Sequence, residues 1–334
     1  MIAPAVFSAL LVPIFYQGTS LAPFPEVTPA IVGHTAFVST VRSYACAWPS
    51  DGKQIACSGD PVTAPDPLVL WRRSYAGVYA AERVDGHLLT FIHGENKNEL
   101  VAGVAHVNTV NGDRSCYSGV TPVGYRDCWP DYYGFVSAAR DGHDQGPIVW
   151  PAHGYLTRDG HHASQGVRHP SSFTAGGYVY VFYLDSSLGG GSIVEARSPA
   201  GALADPRTFQ TLTAHGWRRS LPADGLDLRA SGPPARPILR AGRTSFYFAV
   251  TKAPTGYIGL EYGALTPSAV GTTIWISPDL QHWHRPPGPP LWTSVGTDLA
   301  SAYDASTVRY PRPFSSHAAL SATGAGQVRW MAWP

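Results

Sequence analysis

A hairpin pattern that recurs along the chain constrains its fold more than any other feature. The best-defined copy spans residues 167–187, VRHPSSFTAGGYVYVFYLDSS. Its Arg-His-Pro start predicts extended backbone, since the residue before a proline is driven away from the helical region. The Gly-Gly pair then predicts a tight turn, and the β-branched and aromatic run after it predicts a strand. The hairpin returns to its starting end, so Arg168, His169 and Asp185 are expected to lie together.

Related segments recur before and after this copy. The openings of the four copies are Tyr79, Arg168, Arg236 and Arg309. The arginine openings are 68 and then 73 residues apart, and the first three copies are each followed by a further strand pattern. Repeats of four short strands are typical of a propeller, so we predict an all-β, five-bladed β-propeller.

The same patterns predict where the blades and hairpins begin and end. The first blade is predicted within residues 24–60 and is expected to be completed by the final strand, VRWMAWP. The copy that opens at Arg236 is expected to turn at Gly242 and return at Lys252. No boundary interrupts the array, so residues 23–334 are predicted to form a single propeller domain.

Composition fits this fold and excludes several function classes. Charged residues make up only 14% of the 334 residues, while 35 glycines and 30 prolines interrupt nearly every helical window. The net charge of +1 gives no reason to expect nucleic acid or a membrane surface as partner. We expect a monomer.

The N-terminus and the cysteines both favour export. Residues 1–22 contain an apolar run of about fourteen residues, typical of a signal peptide and too short to span a bilayer. The alternative is a hydrophobic first strand. Four cysteines at local spacing predict two short-loop disulfides, Cys46–Cys57 and Cys116–Cys128, in a secreted protein. Without a Cys-x-x-Cys spacing, a zinc site is disfavoured.

The phrases HPSSFTAGGYVYVFYLDSS and WISPDLQHWHRP resemble the five-bladed β-propeller glycoside hydrolases, of which family 43 and its arabinofuranosidase relatives are the best known. The resemblance covers about residues 75–334 and implies hydrolysis of a glycosidic bond, with arabinofuranosidic polysaccharides favoured. In those families, acids begin the first strands of three blades. Here the matching positions carry Arg168-His169, Arg236 and Arg309, so the catalytic triad does not transfer.

Acids at other positions of the same propeller face are then the catalytic candidates. Glycoside hydrolysis needs two carboxyl groups across the scissile bond. Glu95 and Asp185, at the ends of two second strands, form the leading pair, and Glu261 is the third candidate. Asp66, in the linker before the second blade, is expected to bind substrate. The alternative to a role in the site is, for each of these acids, that of a surface carboxylate or an ion-pair partner.

The three arginines and two histidines are predicted to bind substrate. Arg168, Arg236 and Arg309 converging on one funnel would bind a carboxylate, as in the arginine triad of sialidases. The alternative for each arginine is an ion pair with a neighbouring blade. His93 and His169 are expected to line the sugar site.

Other features leave alternatives open. No metal-ligand spacing stands out, no cofactor is predicted, and room is left for a structural calcium ion. The aromatic residues Tyr133 and Trp150 either form a wall of the sugar site or pack the preceding insertion onto its blade.

Three functions follow from these patterns. The leading interpretation is a secreted glycoside hydrolase with a two-carboxylate mechanism. The first alternative is a sialidase-like hydrolase of an acidic sugar, and the second is a carbohydrate-binding propeller without catalysis. Fold alone does not decide among them.

Overall fold

The computed structural model describes fourteen segments of the chain. They are residues 15–17, 28–39, 42–48, 54–58, 60–66, 68–96, 133–158, 163–188, 191–223, 225–239, 244–306, 309–315, 318–322 and 328–332. These segments form strands β1 to β21, a few short 3₁₀ turns and one α-helix, α1 (Leu299–Ala305). The prediction of an all-β protein is confirmed.

The strands form five sheets that follow chain order. Sheet I contains β1 (Phe15–Gln17), β2 (Ala30–Val32), β3 (Thr35–Ser39), β4 (Ser43–Ala47) and β5 (Gln54–Cys57). Sheet II contains β6 (Tyr75–Val84), β7 (His87–Asn96), β8 (Tyr133–Arg140) and β9 (His143–Pro147). Sheet III contains β10 (Val167–Ala175), β11 (Tyr178–Asp185), β12 (Ser192–Pro199), β13 (Gln210–Thr213) and β14 (Gly216–Arg219). Sheet IV contains β15 (Ser245–Ala253), β16 (Gly256–Thr266), β17 (Ala269–Ser277) and β18 (Trp292–Val295). Sheet V contains β19 (Arg309–Ser315), β20 (Ala318–Ala322) and β21 (Val328–Ala332).

The β-propeller arrangement is confirmed, but the predicted count of five blades is not. Sheets I to IV each contain the four successive antiparallel strands of a propeller blade, whereas sheet V has three strands in the described part of the chain. The described structure therefore shows four blades. The final strand was predicted to complete the first blade, yet β21 pairs with β20 inside sheet V.

The sheets pack face to face because their middle strands are apolar on both faces. On β11, Val179, Val181 and Tyr183 face sheet II, while Phe182 and Leu184 face sheet IV. Alternation with a period of two gives a strand two apolar faces. Similar clusters join sheet I to sheet II and sheet IV to sheet V, so successive sheets are neighbours.

Two of the predicted hairpins form as expected. The hairpin of β10 and β11 turns at Gly176-Gly177, and its register pairs Val167 with Asp185. The hairpin of β6 and β7 turns at Asp85-Gly86 and pairs Tyr75 with Glu95. Both therefore bring the start of a first strand beside the end of a second strand.

The hairpin predicted to open at Arg236 was placed one strand too early. The first strand of sheet IV is β15, and residues 236–239 instead run beside sheet III, where the Arg236 amide donates to the carbonyl of Leu212. Pro237 lacks the amide hydrogen that a ladder requires, which disfavours a strand there. Lys252 consequently lies at the end of β15 remote from its start, and Gly242 lies outside the described residues.

One of the two predicted disulfides is formed. Cys46 and Cys57 are bonded across the neighbouring strands β4 and β5, whereas Cys116 and Cys128 lie outside the described residues. β1 lies inside the segment predicted as a signal peptide and pairs in parallel with β5. No helix in the described segments has the length and apolar character needed to cross a membrane.

Candidate active site

The ends of several strands bring polar and aromatic side chains together near the propeller axis. The first strands of sheets II to V, β6, β10, β15 and β19, pack in that order. At the end where β10 begins and β7 finishes, six side chains form what we call the axial cluster. Its members are Tyr75, Tyr79, His93, Glu95, His169 and Tyr310.

Bulges in the first strands place several of these side chains. The pairing register shifts at Tyr79 in β6, at His169 in β10, at Phe246 in β15 and at Tyr310 in β19. A bulge leaves one residue out of the ladder and turns its side chain away from the regular alternation. Four equivalent bulges thus direct side chains or carbonyl groups toward one region.

Two of the bulges share an Arg-aromatic-Pro sequence. His169 and Tyr310 have φ angles of 52° and 50°, and each precedes a proline. The extended backbone predicted for His169 was therefore wrong at this residue, although β10 does begin here. Positive φ is uncommon outside glycine and is retained only where surrounding contacts impose it.

Glu95 belongs to the axial cluster together with His93. The two residues are two positions apart on β7, so their side chains point to the same face. Nε2 of His93 lies 3.1 Å from Oε1 of Glu95, and Glu95 is only 8% exposed. The carboxyl group is thereby held in one orientation at the end of the strand.

His169 is a neutral imidazole with a defined tautomer. Its Nδ1 lies 2.8 Å from the carbonyl oxygen of Phe246, and a carbonyl only accepts, so Nδ1 carries the hydrogen. Desolvation, followed by the nearby charges of His93 and Arg168, holds the pKa of His169 well below its usual range. Nε2 therefore carries a lone pair at neutral pH, and the side chain is partly exposed.

Aromatic rings enclose His169. The ring of Tyr79 stacks on it at 5.6 Å with an interplanar angle of 1°, and the ring centroids of His93 and Tyr310 lie 5.1 and 5.3 Å away. The hydroxyl groups of Tyr310 and Tyr303 are 2.8 Å apart. Burial raises the pKa of Tyr310 well above its usual value, so this hydroxyl stays protonated and can donate a hydrogen bond.

Asp185 is at the predicted end of β11, where its carboxyl group is enclosed by neighbouring loops. It is 0% exposed and accepts hydrogen bonds from the amides of Ala152 and Ser187 and from the Ser187 hydroxyl. Burial raises its pKa, while these three hydrogen bonds act in the opposite direction. The carboxyl group ties two loops together instead of joining Glu95 as a catalytic pair.

Glu261 is also enclosed. It lies in the middle of β16, opposite Phe248, and is 0% exposed. Its two oxygens accept from the Ser245 hydroxyl at 2.6 Å and from the Trp275 indole at 2.8 Å. Its neighbour Tyr262 packs against Tyr310, so Glu261 points to the other face of the strand.

The three predicted arginines do not meet in one funnel. Arg168 begins β10 beside His169 and is partly exposed, with its side chain packed against Gly134. Arg236 instead donates to the Gln281 carbonyl near the end of sheet IV remote from the cluster. Arg309 occupies the first position of β19, and its side chain lies outside the described residues.

Asp66 lies beside sheet II, outside the axial cluster. Its carboxylate accepts from the Leu68 amide and is 3.6 Å from the Arg72 guanidinium, which also approaches Asp144. Asp66 thus takes part in a half-exposed ion pair, which was the alternative to a role in substrate binding.

Tyr133 and Trp150 are fully buried with Phe135 and Tyr155, so they pack the core of sheet II and form no wall of the site.

Metal ligands are not assembled in the described part of the chain. No group of three histidine, cysteine, aspartate or glutamate side chains there has a geometry that would hold a metal ion. The side chains of the axial cluster themselves offer a carboxyl group, two imidazoles and three phenols.

The tyrosines of the cluster were not predicted as site residues. Tyr79 and Tyr310 stood at the openings of two repeats, the same place in the pattern as His169. An aromatic residue at three of the four openings, all but that at Arg236, was the signal that could have revealed them. Tyr75 carried no such signal, because its place depends on the register of β6 against β7.

Comparisons with known proteins show the fold. No protein-family model and no curated protein matches the chain. Among solved structures, an exo-β-1,3-galactanase from Phanerochaete chrysosporium with galactose has a TM-score of 0.53 at 9% identity over 98% of this chain and 65% of that one. The same enzyme with β-1,3-galactotriose has a TM-score of 0.51 at 11% identity, over 97% and 64%.

A second similar structure comes from a different glycoside hydrolase family. A family 117 glycoside hydrolase from Zobellia galactanivorans has a TM-score of 0.51 at 10% identity, over 97% of this chain and 89% of that one. This chain spans just under two thirds of the galactanase. These structural neighbours are glycoside hydrolases, and at such identities they show a shared propeller fold.

Proposed function

We propose that this protein is a glycoside hydrolase whose chemistry is centred on Glu95 and His169. The observation that carries the proposal is the contact series from Glu95 through His93 to His169 at the axis, with separations of 3.1 Å and, between ring centroids, 5.1 Å. A propeller fold shared with glycoside hydrolases supports the same reaction class.

The protonation state of His169 indicates which residue acts as the base and which as the acid in the proposed hydrolysis. A neutral imidazole with a lone pair on Nε2 accepts a proton, so His169 takes one from the attacking water. Glu95 then gives its proton to the glycosidic oxygen as the bond to the anomeric carbon breaks. His93 holds the Glu95 carboxyl, and the ring of Tyr79 keeps the His169 imidazole in place. The proposal replaces the predicted pair of Glu95 and Asp185 and needs no cofactor.

Two observations bear on the substrate class. The sequence resemblance favours arabinofuranosidic polysaccharides, while the galactanase with this fold was crystallised with galactose and β-1,3-galactotriose. We also propose that the protein is secreted, because the Cys46–Cys57 disulfide is of a kind that persists in oxidising compartments. The sialidase-like alternative loses its main support because Arg236 lies away from the cluster.

A non-catalytic carbohydrate-binding propeller is the second candidate. It is favoured by the enclosure of two of the three predicted acids, Asp185 and Glu261, which are both 0% exposed. Stacked aromatic rings at the axis would still bind a sugar, since the C–H faces of sugars pack on aromatic faces.

Hydrolysis by wild type and by Glu95→Gln tests the proposal. The panel contains aryl arabinofuranosides, galactosides and sialosides together with arabinan and β-1,3-galactan. We expect Glu95→Gln to lower kcat/KM at least about 100-fold, the usual loss for a general acid, with an unchanged Tm. Asp85→Asn is the matched control, because it makes the same carboxyl-to-amide change in the turn at the other end of the β6–β7 hairpin.

The outcomes separate the two candidates. Full activity in Glu95→Gln would refute the assignment of Glu95. Binding of a glycan without turnover by wild type, measured by calorimetry on the same panel, would support the binding protein instead.

A further inference from the structure

A second surface with recognisable chemistry lies at the other end of sheet III. β11 runs from Tyr178 to Asp185, and the axial cluster is at the Asp185 end. Seven residue steps of a strand span about 23 Å. Tyr178 and its neighbours on β12 to β14 are therefore remote from Glu95.

Strand register places the polar side chains of this surface in one row. Tyr180 pairs with Arg197, Arg197 with Gln210, and Gln210 with Arg219. Directly paired residues share a face of the sheet. Gln210 and Arg219 are exposed and Arg197 is partly exposed. We call Tyr178, Arg197, Gln210, Trp217 and Arg219 the outer face.

Arg197 is held rigidly between two aromatic rings. Its guanidinium carbon lies 4.3 Å from the ring centroid of Tyr178 and 4.0 Å from that of Trp217. Cation–π contacts of this kind hold the plane of the guanidinium and leave its edge for hydrogen bonding. A fixed guanidinium loses less side-chain entropy when it binds an anion.

The two arginines of the outer face form no salt bridge with a carboxylate in the described segments. The ion pairs seen there include those of Arg72 and Arg207, but none of Arg197 or Arg219. Glu195, two residues before Arg197 on the same face, is fully buried, and desolvation raises its pKa well above the usual value.

We propose that the outer face binds a polysaccharide that carries oxyanions, either carboxylates or sulfate esters. Arg197 and Arg219 stand on strands two spacings apart, about 10 Å between their backbones, and provide two guanidinium groups for anionic groups of the polymer. The partly exposed Tyr178 and Trp217 offer apolar surface to the sugar rings between those groups. The site is separate from the axial cluster, so it does not depend on the proposed hydrolysis.

Arg218 provides a matched control for this proposal. It stands between Trp217 and Arg219 on β14, is exposed, and points to the opposite face of the sheet. Arg218→Gln and Arg219→Gln remove the same charge one residue apart. A general electrostatic attraction to the protein responds equally to both changes.

Calorimetric titration with defined polymers tests the site. The probes are polygalacturonate for carboxylates, κ-carrageenan for sulfate esters, neutral arabinan, and a DNA duplex. We expect wild type to bind at least one anionic polysaccharide but not DNA, and we expect Arg219→Gln to leave the interaction with neutral arabinan unchanged. Loss of a charge-assisted pair in Arg219→Gln should weaken binding about tenfold. Arg218→Gln should retain wild-type affinity, and the polymer that binds identifies carboxylate or sulfate as the ligand group.

Several results would overturn the proposal. These are an equal loss in Arg218→Gln and Arg219→Gln, DNA binding as tight as polysaccharide binding, and absence of binding to both anionic polymers. Arg219 is exposed, so its substitution should leave the fold intact and keep the test valid. Glu95→Gln should bind the polymers like wild type, which distinguishes a failure here from a failure of the proposed hydrolase.

Discussion

His169 shows how a single residue acquires its chemistry from its surroundings. Its left-handed backbone, its hydrogen bond to the Phe246 carbonyl and its stack on Tyr79 together fix the position of the ring. The proline that follows it has no amide hydrogen to donate to the ladder, so the bulge costs the sheet few hydrogen bonds. The same arrangement at Tyr310 indicates that Arg-aromatic-Pro is a local code for a bulge in this chain.

The lowered pKa of His169 predicts a pH dependence of stability. The unfolded chain titrates this histidine near pH 6.5, so below that pH it binds more protons than the folded protein. The stability associated with His169 is thus present above about pH 6.5 and is lost as the pH falls towards the folded pKa. We expect His169→Asn to flatten the fall in the free energy of unfolding between pH 7 and pH 5, measured by urea titration.

Asparagine suits this test because it tolerates positive φ and keeps a donor near the position of Nδ1. The exposed His143→Asn is the control and should keep the wild-type pH dependence. Identical pH profiles for His169→Asn and wild type would contradict the lowered pKa of His169.

Glu95, His93 and His169 could be found from the sequence because hairpin geometry alone places them at one end of the strands. Asp185 obeys the same geometry, yet the loop at Ala152 covers its carboxyl, and no local pattern announces that contact. Glu261 was misplaced for another reason. Starting sheet IV at Arg236 instead of Ser245 shifted the expected position of β16.

At the scale of elements, side chains on the first strands bind the neighbouring strands around the axis. The Ser171 hydroxyl on β10 donates to the carbonyl of Phe248 on β15, and Ser172 and Thr174 donate to Glu82 on β6. Arg312 on β19 donates to the carbonyl of Tyr79 on β6. These bonds connect sheets that share no ladder, so they fix the spacing of the axial cluster.

Gly94 and Gly177 are required in their hairpins for different structural reasons. Replacing each by alanine should therefore lower the free energy of unfolding by a different amount. A Cβ at Gly94 in β7 would collide with the backbone carbonyl of Trp71, where the turn at 70–72 crosses the strand. Gly177 has a φ of 79° with open space around it. We expect Gly177→Ala to cost about 1–2 kcal/mol from backbone strain. Gly94→Ala should cost more, because backbone must move.

Thermal and urea unfolding of both variants checks this order. Gly94→Ala should also lower the activity of the axial cluster, since Gly94 lies between His93 and Glu95. A smaller loss of stability in Gly94→Ala than in Gly177→Ala would show that the crossing turn is not in close contact with β7.

For the whole molecule, the Cys46–Cys57 disulfide constrains the loop between β4 and β5 in sheet I. Sheet I packs on sheet II through Phe37, Val78 and Ile92, beside the first strand that carries Tyr79. Closing a loop with a sequence separation of 11 stabilises a protein by about 2–3 kcal/mol, chiefly by restricting the unfolded chain. Cys46→Ala with Cys57→Ala should lower the free energy of unfolding by that amount.

Urea unfolding with and without reductant measures the effect. Reductant should lower the free energy of unfolding of wild type by breaking this bond. The double variant lacks the bond, so reductant should not lower its free energy of unfolding in this way. Equal stability of wild type and the double variant would contradict a structural role for the disulfide. Activity of the axial cluster should survive in the folded double variant, because sheet I supplies none of its residues.

The sequence by itself determined the strand-rich class, the paired return of two hairpins and the propeller arrangement, because turn residues and period-two patterns act locally. Tertiary structure decided how many sheets reach four strands, since completing a blade depends on which distant segments pair. It also decided that Asp185 and Glu261 are enclosed while Glu95 remains at the axis. Burial of a carboxyl depends on loops and blades far away in sequence, and a local pattern carries no record of them.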